Sequence, residues 1–339
     1  MDRLRVALIG PGFIAQRHLE VLSTEPGAEL VGISSRSLSK AETAAARFGG
    51  RPYDDLERML DTERPDAVWV CVTPDAHGAL ELGLIERGIH LFVEKPLAAD
   101  LETPERIGAA VDTAGLIAGV AYHWRAMDTL SELEDVIASR PVKLLNGHWH
   151  DNLPGVAWWR DLATSGGQMV EQATHLVDLS RRLLGEATVV AATADLHPHP
   201  DFPEMDVPDV STAILRYDAG QVGTFTATCI LGGTSAQEIR LFADDLAITV
   251  RQQGVLYEDA RTKAVTATDG FTGSRLWGVT ASRYVPTGND PFRAENRAFL
   301  DAIRHGDASR LFSSYADALR THRLTCAIRN AAGGEAPAA

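Results

Sequence analysis

LRVALIGPGFIA, residues 4–15, decides the fold of this chain. Leu4 to Ile9 is a short apolar run closed by Gly10, as expected of a parallel strand buried on both faces. Gly10-Pro11-Gly12-Phe13-Ile14-Ala15 then reads G-x-G-x-x-A, and the pattern predicts a helix through about Leu22. The first glycine permits the tight turn, the second lets the backbone approach a pyrophosphate, and Ala15 permits close helix–strand packing. The first turn of that helix, with Phe13 and Ile14, presents free N–H groups to the anion. Six residues alone are a weak pattern and could be a structural turn. A strand before them and a helix after them favour dinucleotide binding through Gly10, Gly12, Phe13 and Ile14.

Working outward, Glu29 to Ser34 is the second strand, and its end is expected to approach the adenosine ribose. An acidic residue there would hydrogen-bond the ribose hydroxyls and repel a 2′-phosphate. The chain has Ser34-Ser35-Arg36-Ser37 instead. Arg36 can pair with a phosphate and Ser35 can donate to its oxygens, which favours NADP and leaves NAD possible. The competing reading makes Arg36 a surface arginine. Helices are expected over 39–48 and 56–60. A third strand over 67–72 ends in Thr73-Pro74-Asp75-Ala76-His77, where Thr73, Pro74 and His77 are assigned to the cofactor. His77 opens the next helix and suits structure better than chemistry. His90 to Val93 ends in Glu94-Lys95-Pro96, at the carboxyl end of a parallel strand, where this fold binds ligands. A helix over 104–114 and a strand over 116–121 lead to Tyr122-His123-Trp124-Arg125. Strands alternating with helices to this point predict a doubly wound α/β Rossmann domain over residues 1–124.

From residue 125 the pattern changes. A helix over 128–138 precedes a strand over 143–150, which carries Asn146, His148 and His150 on one face. DNLPGVAWWRD, residues 151–161, is irregular. Its Trp158, Trp159 and Arg160 suit the wall of a polar-substrate pocket, or else are packing anchors. GGQMVEQATHLVDLSRRLL, residues 166–184, reads as one amphipathic helix entered from Ser165 and stopped by Gly185. Glu171, His175, Asp178 and Arg182 follow at spacings of four, three and four and share a face. That face is either a solvated salt-bridge ladder or an active-site stripe, and the cofactor signal favours the second. Strands are then expected over 187–196, 210–217, 221–230, 238–242, 247–251 and 254–259. A proline-rich loop with His197 and His199 on its surface interrupts them. Residues 269–287 read as loop, 292–305 and 313–330 as helices, and 333–339 as a disordered tail. Residues 125–332 therefore form an α+β substrate-binding and oligomerisation domain. It has a large, mainly antiparallel open sheet with helices on one side, and the closing helices are free to pack back on the first domain. The uncovered side calls for a partner subunit, so a homodimer or homotetramer through this sheet is expected.

Bulk properties exclude several classes. A chain of 339 residues exceeds what one core usually serves. The formal net charge of -14 argues against a nucleic-acid partner. Cys71, Cys229 and Cys326 are widely spaced and form no ligand motif, as in reduced cytoplasmic proteins. The first strand begins too early for a signal peptide, and no apolar run is long enough to span a membrane. A cytoplasmic protein without membrane contact is expected.

Taken together, GPGFIAQRH (10–18), VTPDAH (72–77), EKPLA (94–98), WRDLATSGGQMVEQATHLVDLSRRLLG (159–185) and FRAENRAFLDAIRHGD (292–307) run through almost the whole chain. In this order they resemble the glucose-fructose oxidoreductase, inositol dehydrogenase and rhizopine-catabolism (Gfo/Idh/MocA) group of NAD(P)-dependent oxidoreductases. The resemblance implies hydride transfer between nicotinamide and a hydroxyl or keto group of a sugar, inositol or related polyol. Some members act on trans-dihydrodiols. It also implies that Lys95 binds the reacting oxygen and that His175 is the acid/base. Two departures stand out: Glu171 replaces the family's aspartate four residues before the histidine, and Gln168 replaces its third glycine. Glu171 either keeps the carboxylate's place, orienting His175 or bonding a neighbouring hydroxyl, or abandons the role.

Hydride transfer needs a proton path for the reacting oxygen, and an imidazole serves both directions. His175, Lys95 and Glu171 are the catalytic candidates. Competing assignments make Lys95 a cofactor ligand only, or make Lys95 the acid/base with His175 a pocket histidine. Ser35, Glu94 and Lys95 join the cofactor set. Tyr122, His123, Arg125, His148, Trp159, Arg160 and Gln172 are the substrate candidates. No metal is expected. Other functional readings are a cyclic or aromatic diol dehydrogenase, drawing on Trp124, Trp149, Trp158 and Trp159, and a non-catalytic NADP-binding regulator.

Overall fold

The computed structural model describes residues 3–263 and 280–333. In the first half, strands β1 (Leu4–Ile9), β2 (Ala28–Ser34), β3 (Arg51–Tyr53), β4 (Ala67–Val70), β5 (His90–Val93) and β6 (Ala118–Val120) alternate with helices. These are α1 (Phe13–Leu22), α2 (Leu38–Phe48), α3 (Leu56–Glu63), α4 (Ala79–Glu86) and α5 (Glu102–Ala114). The strands form one parallel sheet in the order β3-β2-β1-β4-β5-β6. The inner strands β1, β2, β4 and β5 each end in a buried run, so both faces need cover. One face carries Ala15 and Leu19 of α1 and Ala41 of α2; the other carries Met59 of α3, Leu84 of α4 and Ile107 of α5. The order reverses between β1 and β4, and a doubly wound sheet opens its ligand crevice there, outside the strand carboxyl ends. β3 was not expected from the sequence. It is three residues long at the sheet edge, and only Tyr53 is buried.

The second half begins with α6 (Leu130–Ser139) and β7 (Leu144–His150), followed by α7 (Leu162–Ser165), α8 (Gln168–Glu171) and α9 (Thr174–Leu184). Strands β8 (Ala187–Asp195), β9 (Val210–Tyr217), β10 (Val222–Thr228), β11 (Ala236–Ala243), β12 (Leu246–Arg251), β13 (Gly254–Lys263) and β14 (Thr280–Pro286) complete an eight-stranded sheet. Its order is β14-β13-β12-β11-β7-β10-β9-β8, antiparallel except for the β7–β10 pair. β14 lies within the stretch expected to be loop, and the rest of that stretch up to residue 279 is outside the described residues. The tail expected from 333 lies outside them beyond Gly333.

Strand alternation gives this sheet one apolar face. Leu145, Leu215, Phe225 and Leu241 point to a core shared with Leu133 of α6 and Leu176 and Leu179 of α9. Two closing helices, α10 (Pro291–His305) and α11 (Tyr315–Ala332), tie the halves together. Phe299 and Leu300 of α10 pack on the parallel sheet. α11 places Tyr315 and Ala318 in one core and Leu324 and Ile328 in the other.

Candidate active site

Gly10 has φ +82°, and a Cβ there would lie 2.4 Å from the Cys71 carbonyl oxygen, so only glycine fits. At Gly12 a Cβ would meet nothing closer than 4.0 Å, so the backbone borders open space. α1 has no side-chain cap at its N-terminus, which leaves its first N–H groups free for an anion. Phe13 is exposed beside them. At the end of β2, Ser34 is buried and the Ser35 hydroxyl accepts a bond from the Ser37 N–H. Arg36 is exposed and forms no ion pair among the described residues. Thr73 and Pro74 lie at the end of β4, with Pro74 opening a 3-10 turn. These features fit a dinucleotide across the strand ends.

Two residues assigned to the cofactor have other roles. His77 is buried, with Nδ1 2.5 Å from Glu81 Oε1, and it pins the start of α4. Glu94 turns inward: Oε1 lies 2.8 Å from His18 Nε2, and Oε2 accepts from the Lys95 N–H at 3.0 Å. His18 in turn meets Asn296, which also accepts from the Trp69 indole at 2.8 Å. Glu94 therefore stiffens the Lys95 backbone from beneath. This buried network joins residues nearly 280 positions apart, so local sequence patterns carried no sign of it.

Lys95 and Glu171 meet. The Lys95 ammonium donates to Glu171 Oε1 at 2.7 Å and to the Glu171 carbonyl at 2.9 Å. That second bond explains a correction to the helix expected over 166–184. In an unbroken helix the Glu171 carbonyl would accept from the His175 N–H. Here Lys95 occupies it, the His175 N–H turns to the Gln172 carbonyl at 3.4 Å, and the Ala173 N–H reaches back five residues to Gln168. The segment splits into α8 and α9, and such irregular turns cluster at functional sites. Arg182, at the far end of the predicted stripe, stays out of the site. It is exposed and pairs with Glu134, while Arg181 is the buried arginine of α9.

Glu171 does not bond His175. Its second oxygen accepts from the Trp159 indole N–H at 2.9 Å. His175 is buried, and its Nδ1 has no hydrogen-bond partner among the described residues. Burial pushes its pKa well below the ordinary histidine value, with smaller contributions from His123 and Lys95. The His123 ring stands edge-on to it at 4.8 Å and stacks on Phe292 at 4.4 Å. Burial takes His123 down to about 4. The Trp149 ring lies nearly parallel to His175, centroids 5.8 Å apart.

The remaining substrate candidates divide. Gln172 is partly exposed beside Glu171, its carbonyl accepting from Gln168 at 2.9 Å. Arg160 lies over the Phe202 ring at 4.0 Å. Trp159 is 1% exposed, so it reaches a ligand only through Glu171. Tyr122 is buried with its hydroxyl 2.8 Å from Thr174 Oγ1. Arg125 grips Asp178 with two bonds of 2.6 Å and also meets Asp317, a buried structural pair. His148 and His150 stack on each other at 4.5 Å on the helix-free face of the sheet. Asn146 shares that face, bonding Thr224. Alternation along β7 sends them away from α9 and sends Trp149 toward it. That parity was legible in the sequence, and it favours Trp149 over His148. Among the described residues no group of three or more His, Cys, Asp or Glu could hold a metal.

Comparison with known proteins agrees with this geometry. Residues 4–122 match the family model described as oxidoreductase family, NAD-binding Rossmann fold, and residues 141–249 match the GFO/IDH/MocA C-terminal domain. The chain belongs to the GFO/IDH/MocA oxidoreductase family. This member is similar to myo-inositol 2-dehydrogenase of Thermotoga maritima, 22% identical over 90% of this chain and 89% of that one. Levoglucosan dehydrogenase, solved with NADH and levoglucosan, shares its fold with a TM-score of 0.83 at 21% identity, covering 99% of this chain and 98% of the other. A 3-ketoreductase from Actinomadura kijaniata, solved with NADP and TDP-benzene, superimposes with a TM-score of 0.81 at 20% identity, covering 97% and 98%. This chain is thus an NAD(P)-dependent oxidoreductase. No helix among the described residues is long and apolar enough to cross a membrane.

Proposed function

We propose that this enzyme transfers a hydride between NADP and a secondary alcohol or ketone of a sugar, inositol or related polyol. The observation that carries the residue roles is the Lys95–Glu171 pair after β5, with the buried His175 near enough to feel the Lys95 charge. The bound nicotinamide accepts or returns the hydride. During oxidation the neutral His175 imidazole takes the hydroxyl proton, and during reduction it gives that proton to the forming alcohol oxygen. Burial favours the neutral ring, the form that accepts the proton in the oxidation direction. Lys95 is paired with a carboxylate and acts as a charged donor, steadying the alkoxide that develops on the substrate oxygen. Glu171 serves as the counter-charge of Lys95. The preference for NADP rests on Ser35 and on Arg36, which has no ion pair among the described residues, at the end of β2, where an acidic residue would exclude a 2′-phosphate. The helix-free face of the large sheet suits a second copy of this chain.

Titration of NADPH and NADH against wild type and Arg36→Ala tests the cofactor assignment. NADPH is expected to bind about tenfold tighter or more, as one charge-assisted contact allows, and the variant to lose that margin. Equal affinity for both cofactors, unchanged in Arg36→Ala, would refute it. A panel of pyranosides, inositols and a cyclic trans-diol then tests the substrate class.

A further inference from the structure

We propose that Trp159 is a positioning residue, whose indole N–H clamps Glu171 so that Lys95 keeps one free donor aimed by a fixed frame. This rests on the reading of Lys95 as the group that binds the reacting oxygen. Trp159 sits in a 3-10 turn, Ala157–Arg160, and is 1% exposed. Its ring packs with Met205, Val207 and Cys229, a small cluster separate from the main cores. The turn is therefore rigid, and the indole N–H reaches Glu171 Oε2 at 2.9 Å. The other carboxylate oxygen and the Glu171 carbonyl both accept from the Lys95 ammonium, at 2.7 and 2.9 Å. An ammonium has three donors, so one remains for substrate.

Glutamate rather than aspartate follows from this geometry. The side chain must span from the α8 backbone to a lysine on one side and an indole on the other. Shortening it by one methylene would draw it away from at least one of them and leave a buried N–H unpaired. Trp159 and Glu171 thus act as a matched pair, and the indole also holds the carboxylate off His175.

Indole-15N NMR on the NADPH complex tests the contact without turnover. The Trp159 Nε1–H signal is identified by its loss in Trp159→Phe. It is expected to exchange slowly with solvent and to move in Glu171→Gln. A freely exchanging signal that ignores Glu171→Gln overturns the clamp. Kinetics test its consequence, using the panel substrate with the fastest turnover. Trp159→Phe keeps an aromatic side chain in the cluster and removes the donor, and should lower kcat about tenfold or more while KM stays within twofold and the NADPH Kd is unchanged. Wild-type kcat in Trp159→Phe overturns the positioning role. Should Trp159→Phe lose NADPH binding, Glu171→Asp is read instead and should show the same loss of kcat and of slow indole exchange; wild-type behaviour in both overturns the proposal. Full turnover in Lys95→Met would refute the role of Lys95 itself and leave the indole signal intact, so the two failures are distinguishable.

Discussion

His175 is a buried imidazole without a carboxylate to orient it, and that shapes what its substitution should do. Its position comes from packing against His123, Tyr122 and Trp149. His175→Asn should lower turnover about 10²–10⁴-fold in both directions, the usual worth of a positioned acid/base, while the NADPH Kd is unchanged. Full turnover in either direction would sink the assignment. Burial holds the ring neutral well below its ordinary value of 6.5, so kcat/KM for oxidation should show no histidine limb between pH 6 and 8. A limb centred near 6.5 that vanishes in His175→Asn would mean the ring is solvated. At this scale the sequence was informative where a motif fixes the backbone, as at Gly10, whose positive φ and close approach to Cys71 only glycine allows. It was misleading for Arg125 and Glu94, whose charges are satisfied by Asp178 and His18, far away in the chain. A polar residue at a strand end looks the same in sequence whether it faces a ligand or a buried partner.

Helix α9 is fixed to the rest of the molecule through Asp178, one turn beyond His175. Burial raises the Asp178 carboxyl, but two bonds from Arg125 and one from Thr321 keep it satisfied. Arg125 lies two residues past His123, so one buried pair locates both imidazoles. Arg125→Met leaves a buried carboxylate without its counter-charge and should cost about 3–5 kcal/mol. Arg182→Ala removes a half-exposed pair with Glu134 and should cost under about 1 kcal/mol. Calorimetric melting of both variants decides whether α9 is held by the buried Arg125–Asp178 pair or by the exposed Arg182–Glu134 pair, and equal losses would contradict the burial argument. The proline-rich loop before β9 is held differently. Buried Asp209 accepts from the His197 N–H, and its carboxylate lies 2.9 Å from His197 Nδ1 and 3.2 Å from His199 Nε2. Bonding to Asp209 raises His197 above 6.5, so its contribution is complete below that pH and fades as pH rises through the raised value. For Asp209, burial acts upward but the His197 bonds outweigh it, and the carboxyl stays below 3.8. Its contribution holds above that pH and fades as pH falls through the lowered value. Amide exchange in residues 197–208, corrected for intrinsic rates, should therefore be slowest near pH 5–6 and faster by pH 8.5; pH-independent protection would show the clamp is idle. Element order was legible because hydrophobic runs and turn residues set it. The α8–α9 break and this clamp were not, because each depends on a side chain from elsewhere taking a backbone or carboxylate partner.

Among the described residues, both faces of the parallel sheet are covered and only one face of the mixed sheet is. The other face carries a polar centre, Asn146, His148 and Glu238, on adjoining strands. Around it stand exposed apolar side chains: Leu144 of β7 at 38%, Ile214 of β9 at 40% and Tyr284 of β14 at 55%. Pairing of two copies through this face, as proposed, would take these side chains out of water. A two-fold axis through such a face makes it self-complementary, with each apolar rim meeting the other copy's. Sedimentation velocity should show a dimer or tetramer for the wild type. Ile214→Glu puts a charge at the apolar rim without touching the core, where Leu215 points the other way. Each copy would bury that charge unpaired, at a cost of several kcal/mol across a symmetric contact. The variant should sediment as a folded monomer with unchanged NADPH affinity, since the dinucleotide crevice lies on the other sheet. A wild-type monomer, or an Ile214→Glu oligomer as stable as the wild type, would move the contact away from this face.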